Sequence, residues 1–285
     1  MAASISKGWI DIGIGAGTES MTMYYEPANL MPNAADSVLK VPSAKNSLLP
    51  MGLTSENVAK KFGVTRQEQD QFALNSHLKA AKAQAEGLFK DEIVPVKTGD
   101  GKIVDQDDGI RGNATLEALN KLKPAFSEDG TTTPGNASQV SDGAAAVLLM
   151  KRGKAAELGL PVMGRMLGYA VAGVPPEIMG IGPALAIPKV LNQVGLSIGD
   201  ISVFEINEAF ASQAVYCVKK LGIDPNKVNP LGGAIALGHP LGCTGARQVS
   251  TLLYNLQRRK ERYGVISMCI GTGMGAAAVF ENEAA

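Results

Sequence analysis

The sequence lacks the features that mark several large classes of protein. Lysine plus arginine and aspartate plus glutamate both total 27, so no overall field attracts the chain to nucleic acid or to an anionic membrane. No apolar run approaches the roughly 20 residues that a membrane-spanning helix needs. The first residues also lack the basic-then-apolar layout of a secretory signal. We therefore expect a soluble intracellular protein that binds neither nucleic acid nor membrane.

Cysteine and aromatic residues are also scarce. The three cysteines, Cys217, Cys243 and Cys269, are odd in number and lack metal-ligand spacing, which argues against a disulfide framework and against a metal site. Aromatic residues make up 5% of the chain, whereas 33 residues are glycine. The core must therefore be built from small aliphatic residues with close backbone approaches, which favours a layered α/β protein.

The order of predicted elements divides the chain into two halves. Residues 2–5 predict the end of a helix closed by Gly8, and residues 10–15 predict a strand. Neither element has an earlier partner in the sequence, so we expect preceding strands to be missing and the first half to be incomplete. The predicted halves are an N-terminal half at 1–150, with a proline-rich loop subdomain at about 22–137, and a C-terminal half at 151–285.

Local signals predict individual elements of both halves. Thr65 and Glu68 form a capping box at the start of a helix that runs to Gly87. The apolar run 144–150 predicts a strand buried on both faces. Further predicted elements are a helix from Pro183 to Val194 stopped by Gly195, a strand at 201–206, a helix from Glu208 to Leu221, a helix through Leu252 and Leu256 that closes at Gly264, and neighbouring strands at 265–269 and 276–280.

Three glycine-containing segments each place a reactive side chain at the end of a predicted strand. They carry Asn207 in 207–211, His239 in 232–245 and Cys269 in 269–275. Ligands collect at such strand ends in α/β sheets. Taken singly, Asn207 fits a helix N-cap, His239 a structural histidine and Cys269 a small buried hydrophobe. Together the three form a constellation suited to acyl transfer.

These segments resemble the Asn-Glu-Ala-Phe, Gly-His-Pro and Cys-x-Gly-x-Gly-x-Gly motifs of the thiolase family. Segments 11–21 and 135–146 resemble further thiolase segments, so the resemblance covers essentially the whole chain. The ending 269–280 is most similar to the peroxisomal 3-ketoacyl-CoA thiolases. The resemblance implies a layered α-β-α-β-α fold built from two similar halves.

The resemblance also implies a reaction and its residues. In β-oxidation a thiolase cysteine takes the acyl group of a 3-ketoacyl-CoA, acetyl-CoA leaves, and free CoA collects the shortened acyl chain. On this interpretation His239 activates the nucleophile and holds the thioester oxygen, and Cys269 shuttles the second proton. Asn207 positions a water in the oxyanion site shared with His239, and the backbone N–H of Gly271 serves a second oxyanion hole.

Coenzyme A is expected as a substrate, alongside acyl-CoA, with no permanently bound cofactor. The resemblance makes Ser138 a candidate pantetheine contact and Arg111 a candidate for the nucleotide end, although Arg111 also fits a solvated loop charge. A thiolase of intact fold would be a homodimer or a tetramer. The peroxisomal resemblance favours a peroxisomal location, with mitochondrial or cytoplasmic locations as alternatives, although 281–285 is not a Ser-Lys-Leu address.

One family element has no counterpart in the sequence. Thiolases carry the nucleophilic cysteine in a Cys-Ser-Ser-Gly-type segment that leads into the helix at residues 2–5, and the chain starts inside that helix. Cys217 falls within a predicted helix, where a packing role is expected. The resemblance implies a structural role for Cys243 too, because thiolases often carry a small residue there, although its closeness to His239 leaves room for reactivity. We therefore expect these 285 residues to form no acyl-enzyme by themselves.

Other functions remain open from the sequence. A dinucleotide-binding enzyme is disfavoured because the third glycine of that fingerprint would fall at Thr18. A non-catalytic protein that binds CoA or pairs with intact thiolase subunits would keep the same motifs. Within the enzyme class, an acetoacetyl-CoA thiolase is the alternative to a degradative long-chain thiolase.

Overall fold

A computed structural model describes residues 1–24 and 34–284, and these form a layered α/β structure. The helices are α1 (Ala2–Ser6), α2 (Met21–Tyr24), α3 (Asp36–Leu39), α4 (Pro42–Asn46), α5 (Met51–Phe62), α6 (Arg66–Ala85), α7 (Leu116–Asn120), α8 (Arg152–Glu157), α9 (Gly182–Val194), α10 (Ala211–Leu221), α11 (Ala234–Leu237) and α12 (Thr244–Arg259). Short 3₁₀ turns lie at Pro176–Ile181, Ile198–Asp200 and Pro225–Lys227.

The strands form three sheets within the described residues. They are β1 (Ile12–Glu19), β2 (Val96–Lys97), β3 (Ile103–Val104), β4 (Gly143–Met150), β5 (Arg165–Gly173), β6 (Val203–Ile206), β7 (Tyr263–Ile270) and β8 (Met274–Glu281). A four-stranded sheet has the order β5-β8-β7-β6, in which only β6 and β7 run parallel. Strands β1 and β4 pair antiparallel in a second sheet, and β2 pairs with β3 in a small hairpin.

Helix α12 lies between the two larger sheets. It contacts β6 and β7 on one side and β1 and β4 on the other, whereas α9 packs on the opposite face of the four-stranded sheet. Alternate residues of β7 follow this division: Val265 faces the α9 side and Ile266 the α12 side. Helices therefore bury both faces of β6, β7 and β8, which explains the largely apolar sequences of β7 and β8.

Several predicted elements are confirmed. Thr65 caps α6, with the reciprocal capping box to Glu68 in place. Helix α9 begins one residue before Pro183 and ends at Gly195, which adopts φ of 70°. The two C-terminal strands are neighbours in antiparallel pairing.

Two predicted helix ends are wrong. Helix α10 begins at Ala211 instead of Glu208, because the preceding backbone stays extended and Phe210 bridges to Ala137. Helix α12 ends at Arg259, where Lys260 takes a left-handed conformation with φ of 54°. Gly264 instead lies within β7, so the break that was expected there falls four residues earlier.

The predicted burial of the strand at 144–150 is also wrong. Strand β4 alternates between half-buried and exposed residues, and Leu148 is 56% exposed. Its partner in the β1 register, Ile14, is 62% exposed on the same face. Only the face toward α12 is covered, so apolar composition alone misjudged the second face.

Candidate active site

Asn207 and Cys269 stand at the carboxyl ends of two parallel strands. Strand β6 ends at Ile206, and the backbone N–H of Asn207 donates to the Ser267 carbonyl of β7 at 2.8 Å. Cys269 follows two residues later on β7. The segments that carry Asn207 and Cys269 therefore lie side by side. They do so because parallel strands place their carboxyl ends at the same edge of the sheet.

His239 is brought to the same edge by the glycine loop before α12. Its Nε2 lies 3.2 Å from Nδ2 of Asn207, and its Nδ1 lies 2.7 Å from Oγ1 of Thr244. The N-cap of α10 is Phe210, so the alternative that Asn207 caps this helix is wrong. The other amide atom, Oδ1 of Asn207, is buried without a hydrogen-bond partner and can accept a hydrogen bond from a water molecule.

The surroundings of His239 favour a neutral imidazole. Burial, with a smaller contribution from the positive charge of Arg247, lowers the pKa of His239 to about 4. The ring is thus uncharged at neutral pH and can accept a proton. This is the protonation state that a general base needs before the reaction.

Cys269 is buried beside apolar side chains. Only 8% of its surface is exposed, and it clusters with Met179, Ala209 and Phe210. Burial raises the pKa of its thiol to about 12, so the resting form is the protonated thiol. A protonated thiol can donate a proton to a developing carbanion, which suits the predicted shuttle role.

The Gln213 amide joins Cys269 to Asn207. It lies 3.4 Å from the Cys269 sulfur. When the amide is turned so that both of its groups are satisfied, its nitrogen donates to the backbone carbonyl of Asn207 at 3.1 Å and its oxygen accepts from the Ala214 N–H at 2.8 Å. Gln213 is 1% exposed and thus fixes the two segments relative to one another.

The turn between β7 and β8 leaves room above Gly271. A Cβ atom placed on Gly271 would meet no atom within 4 Å. The turn is tight because Thr272 and Gly273 both take positive φ, 70° and 103°. A ligand can therefore approach the backbone here, as an oxyanion hole formed by the Gly271 amide requires.

Ser138 lies between the first two segments, whereas Arg111 lies farther out. The Ser138 N–H donates to the carbonyl of Ala209 at 3.0 Å, and Ala209 belongs to the segment that carries Asn207. The neighbouring Gln139 side chain donates to the Gly109 carbonyl at 2.9 Å and so anchors the loop that carries Arg111. Arg111 is exposed, and its guanidinium donates only to the backbone of its own loop within the described residues.

A buried carboxyl group holds the Asn-Glu-Ala-Phe segment in place. Glu208 accepts hydrogen bonds from the Ser76 hydroxyl at 2.6 Å, the Asn229 amide at 2.7 Å and the Ile235 N–H at 3.1 Å. Burial raises the pKa of Glu208, and these three donors oppose that rise. Glu208 thereby links α6 and the start of α11 to the strand that presents Asn207.

The other two cysteines are poor nucleophiles in this fold. Cys217 is fully buried in the middle of α10, and burial raises the pKa of its thiol. Cys243 is 2% exposed just before α12, and burial likewise raises its pKa. Neither shows the lowered pKa that marks a reactive thiol.

Thr244 and Gln213 were not singled out by the sequence analysis, although both contact site residues directly. Thr244 stood inside the glycine loop, and its position five residues after His239 was the available signal. Gln213 stood inside a helix pattern, where nothing distinguished it from a surface residue. Within residues 1–24 and 34–284, no cluster of metal-ligating side chains occurs and no helix is long and apolar enough to cross a membrane.

Comparison with known families assigns both halves of the chain. The model of the thiolase N-terminal domain matches residues 1–153, and the model of the thiolase C-terminal domain matches residues 160–282.

Curated relatives share about three residues in five with the chain. It is 62% identical over 290 residues to the peroxisomal 3-ketoacyl-CoA thiolase B of Rattus norvegicus, which covers 99% of this chain and 68% of the relative. It is 59% identical over 292 residues to the peroxisomal 3-ketoacyl-CoA thiolase of Homo sapiens, with the same coverage of 99% and 68%. The predicted enzyme class and the peroxisomal resemblance are confirmed by these relatives.

Solved structures agree with the predicted fold. The dimeric peroxisomal thiolase of Saccharomyces cerevisiae superimposes with a TM-score of 0.95 at 58% identity, covering 99% of this chain and 72% of that one. Human mitochondrial 3-ketoacyl-CoA thiolase in complex with CoA gives a TM-score of 0.88 at 37% identity, covering 98% and 73%. A second structure of the yeast enzyme, with a TM-score of 0.79 at 51% identity and coverage of 99% and 68%, is described as five-layered and built from two core domains of identical topology. The chain belongs to the thiolase family.

Proposed function

We propose that the site performs the acyl transfer of a degradative 3-ketoacyl-CoA thiolase. His239 accepts the proton of a cysteine nucleophile at Nε2 and then holds the thioester oxygen by a hydrogen bond from that N–H. Asn207 holds a water in the same oxyanion site through its unpartnered Oδ1. Cys269 gives its proton to the departing acetyl-CoA carbanion and later takes one from incoming CoA. The Gly271 amide stabilises the second oxyanion.

The observation that carries this proposal is the contact between Asn207 and His239. Their side chains meet at 3.2 Å although they are 32 positions apart, at the edge where Cys269 also ends its strand. The neutral imidazole and the protonated thiol supply the base and the acid that the two proton transfers need. The halves at 1–150 and 151–285, with the loop subdomain at about 22–137, remain our proposed division of the fold.

Coenzyme A is proposed to lie along the segment that contains Ser138. Three hydrogen bonds support this path: Arg111 donates to the Asp108 carbonyl at the surface, Gln139 to the carbonyl of the adjacent Gly109, and the Ser138 N–H to the Ala209 carbonyl. A phosphate group at the exposed Arg111 would place the pantetheine arm beside Ser138 and its thiol end toward His239. Because the net charge of the protein is zero, an anionic ligand such as CoA needs a local cation of this kind.

We further propose that residues 1–285 alone do not form the acyl-enzyme. The family's nucleophilic cysteine segment is not among these residues, and the three cysteines present are buried with raised pKa values. A homodimer is proposed for a thiolase that includes this segment. CoA binding is expected even without it, because Ser138 and Arg111 are present.

A thiolysis assay tests these proposals. Acetoacetyl-CoA and a longer 3-ketoacyl-CoA are each supplied with free CoA to the 285-residue chain and to a version that carries a family Cys-Ser-Ser-Gly segment upstream. We expect thiolysis only in the extended version, with the longer substrate preferred. Turnover by the 285-residue chain would overturn the missing-nucleophile account, and its loss on Cys243→Ser, at a residue with no other proposed role in the reaction, would identify Cys243 as the substitute.

A measurement of CoA binding to the 285-residue chain distinguishes an inactive thiolase that keeps its CoA site from a protein that has no such site. Titration calorimetry with CoA should give a Kd that Arg111→Ala weakens about ten-fold, the effect of one charge-assisted phosphate contact. Arg152→Ala serves as the control, because Arg152 pairs with Glu283 away from this segment. Equal loss in both variants, or no CoA binding at all, would remove the proposed path.

A further inference from the structure

The side chain behind His239 determines which ring nitrogen carries the proton. Thr244 is 1% exposed, and its hydroxyl has two partners: Nδ1 of His239 at 2.7 Å and the Pro240 carbonyl at 2.8 Å. A carbonyl oxygen can only accept a hydrogen bond, and a hydroxyl has a single proton to give. The Thr244 proton therefore goes to Pro240, and its oxygen is left to accept from Nδ1–H.

The opposite side of the ring agrees with this assignment. Nε2 of His239 faces Nδ2 of Asn207 at 3.2 Å, and an amide nitrogen can only donate. With the Asn207 amide in this orientation, Nε2 carries the lone pair. The neighbours of both ring nitrogens are thus consistent with the same tautomer.

We propose that Thr244 is a positioning residue that fixes His239 as the Nδ1–H tautomer and so presents the Nε2 lone pair to the substrate side. In the opposite tautomer, Nε2 would already carry a proton and could not accept one from a nucleophilic thiol. The catalytic consequence rests on the proposed function, whereas the tautomer itself can be observed without turnover.

The position of Thr244 makes the arrangement rigid. It is the first residue of α12, and its hydroxyl bond to Pro240 closes the turn that leads from His239 into the helix. The backbone N–H of Thr244 also donates to Pro240, at 3.0 Å. Because α12 packs between the two sheets, the hydroxyl that orients the ring is anchored to the core of the protein.

The chain contains only two histidines, which makes the test direct. Nδ1 of His77 accepts the Arg111 N–H at 3.2 Å, so His77 must be the Nε2–H tautomer, the opposite of His239. Burial, reinforced by Arg111, lowers the pKa of His77, so both rings are neutral at pH 7. Nitrogen-15 NMR of the imidazoles should therefore show one ring of each tautomer, and His77→Gln assigns the signals.

The NMR experiment uses the 285-residue chain at pH 7 in three variants. Thr244→Val should shift the His239 tautomer ratio toward Nε2–H by about five-fold, the change that one lost hydrogen bond supports. Thr244→Ser keeps the hydroxyl and should preserve the Nδ1–H form. Thr251→Val removes a buried hydroxyl from the same helix, bonded to Glu92 and not to His239, and should leave both rings unchanged.

A wild-type His239 in the Nε2–H form would overturn the proposal, as would an unchanged tautomer ratio in Thr244→Val. In the extended, nucleophile-bearing version, Thr244→Val should lower kcat about ten-fold without raising KM for CoA, with Thr244→Ser restoring it. Correct tautomers without thiolysis in that version would refute the proposed function and leave the role of Thr244 intact.

Discussion

Two strands of the molecule share a sequence and differ in their surroundings. Residues 143–147 of β4 and residues 275–279 of β8 both read Gly-Ala-Ala-Ala-Val. Each strand pairs antiparallel with the strand that opens its half, β1 or β5. Yet β8 is buried from Gly275 onward, whereas every second residue of β4 through Leu148 is exposed. Burial is therefore set by what packs on the strand and not by its composition.

The difference has a simple structural cause. Strand β8 has a second neighbour, β7, with helix α9 on one face and the side chains of Leu252 and Leu256 from α12 on the other. Among the described residues, β4 has β1 as its neighbour and α12 on one face. The same five residues thus form a fully buried strand in one half and a half-buried strand in the other.

An aspartate at matched positions should give the largest difference between the strands. Ala278 is 3% exposed in the cluster of Leu252 and Ile266, so Ala278→Asp buries a carboxyl group without a partner and should cost about 4 kcal/mol or more. Ala146 is exposed at the equivalent place in β4, and Ala146→Asp should cost less than about 1 kcal/mol. Urea unfolding followed by circular dichroism measures both. Equal losses would mean that the outer face of β4 is covered in solution.

Adding a methyl group to the matched glycines should give a smaller difference. A Cβ at Gly275 would collide with the backbone of Gly182 at the start of α9, so Gly275→Ala should cost about 3 kcal/mol. At Gly143 the Cβ would come within 2.6 Å of the Pro240 ring, which is a side chain and not backbone, so about 1 kcal/mol is expected. The same unfolding measurement applies to both.

These two glycine variants should also separate by their effect on the site. Pro240 follows His239, so Gly143→Ala should move the His239 imidazole signals in the NMR spectrum. In Gly275→Ala, the His239 imidazole signals should move less than they do in Gly143→Ala. If Gly143→Ala were the more destabilising variant, the Gly182 backbone at the start of α9 would have to shift more easily than the Pro240 ring.

The sequence predicted local elements well wherever the signal was itself local. The capping box at Thr65 and the stop at Gly195 depend on neighbouring residues, and both are in place. The burial of β4 could not be predicted, because it depends on elements far away in the chain. Likewise, Asn207 and His239 were grouped by chemistry and resemblance, but the distance between them follows from sheet topology.

Residues that act through others gave no signal of their own. Thr244 is a common residue type within the glycine loop and Gln213 one within a helical pattern, and only the structure shows that each touches a reactive side chain. The tautomer of His239 could be inferred only after both neighbours of its ring were known.

The smallest expected effect on stability concerns the exposed face of β4. Leu148 and Phe280 are equivalent positions, the fifth residue after the glycine, and they are 56% and 6% exposed. Leu148→Lys should change the free energy of unfolding by less than about 0.5 kcal/mol, because it replaces a solvated side chain.

We expect the apolar face that Leu148 forms with its cross-strand neighbour Ile14 to promote self-association of the 285-residue chain. Leu148→Lys should reduce this association, because the charge interrupts that face. Sedimentation at several protein concentrations measures this, with Phe280→Lys as the contrasting variant that should unfold the chain. If Leu148→Lys were as destabilising as Phe280→Lys, the outer face of β4 would be buried in solution. The difference in burial between β4 and β8 would then hold only for a single chain by itself. If association were unchanged, some other surface would have to be responsible for it, since the charge would lie in the middle of the patch.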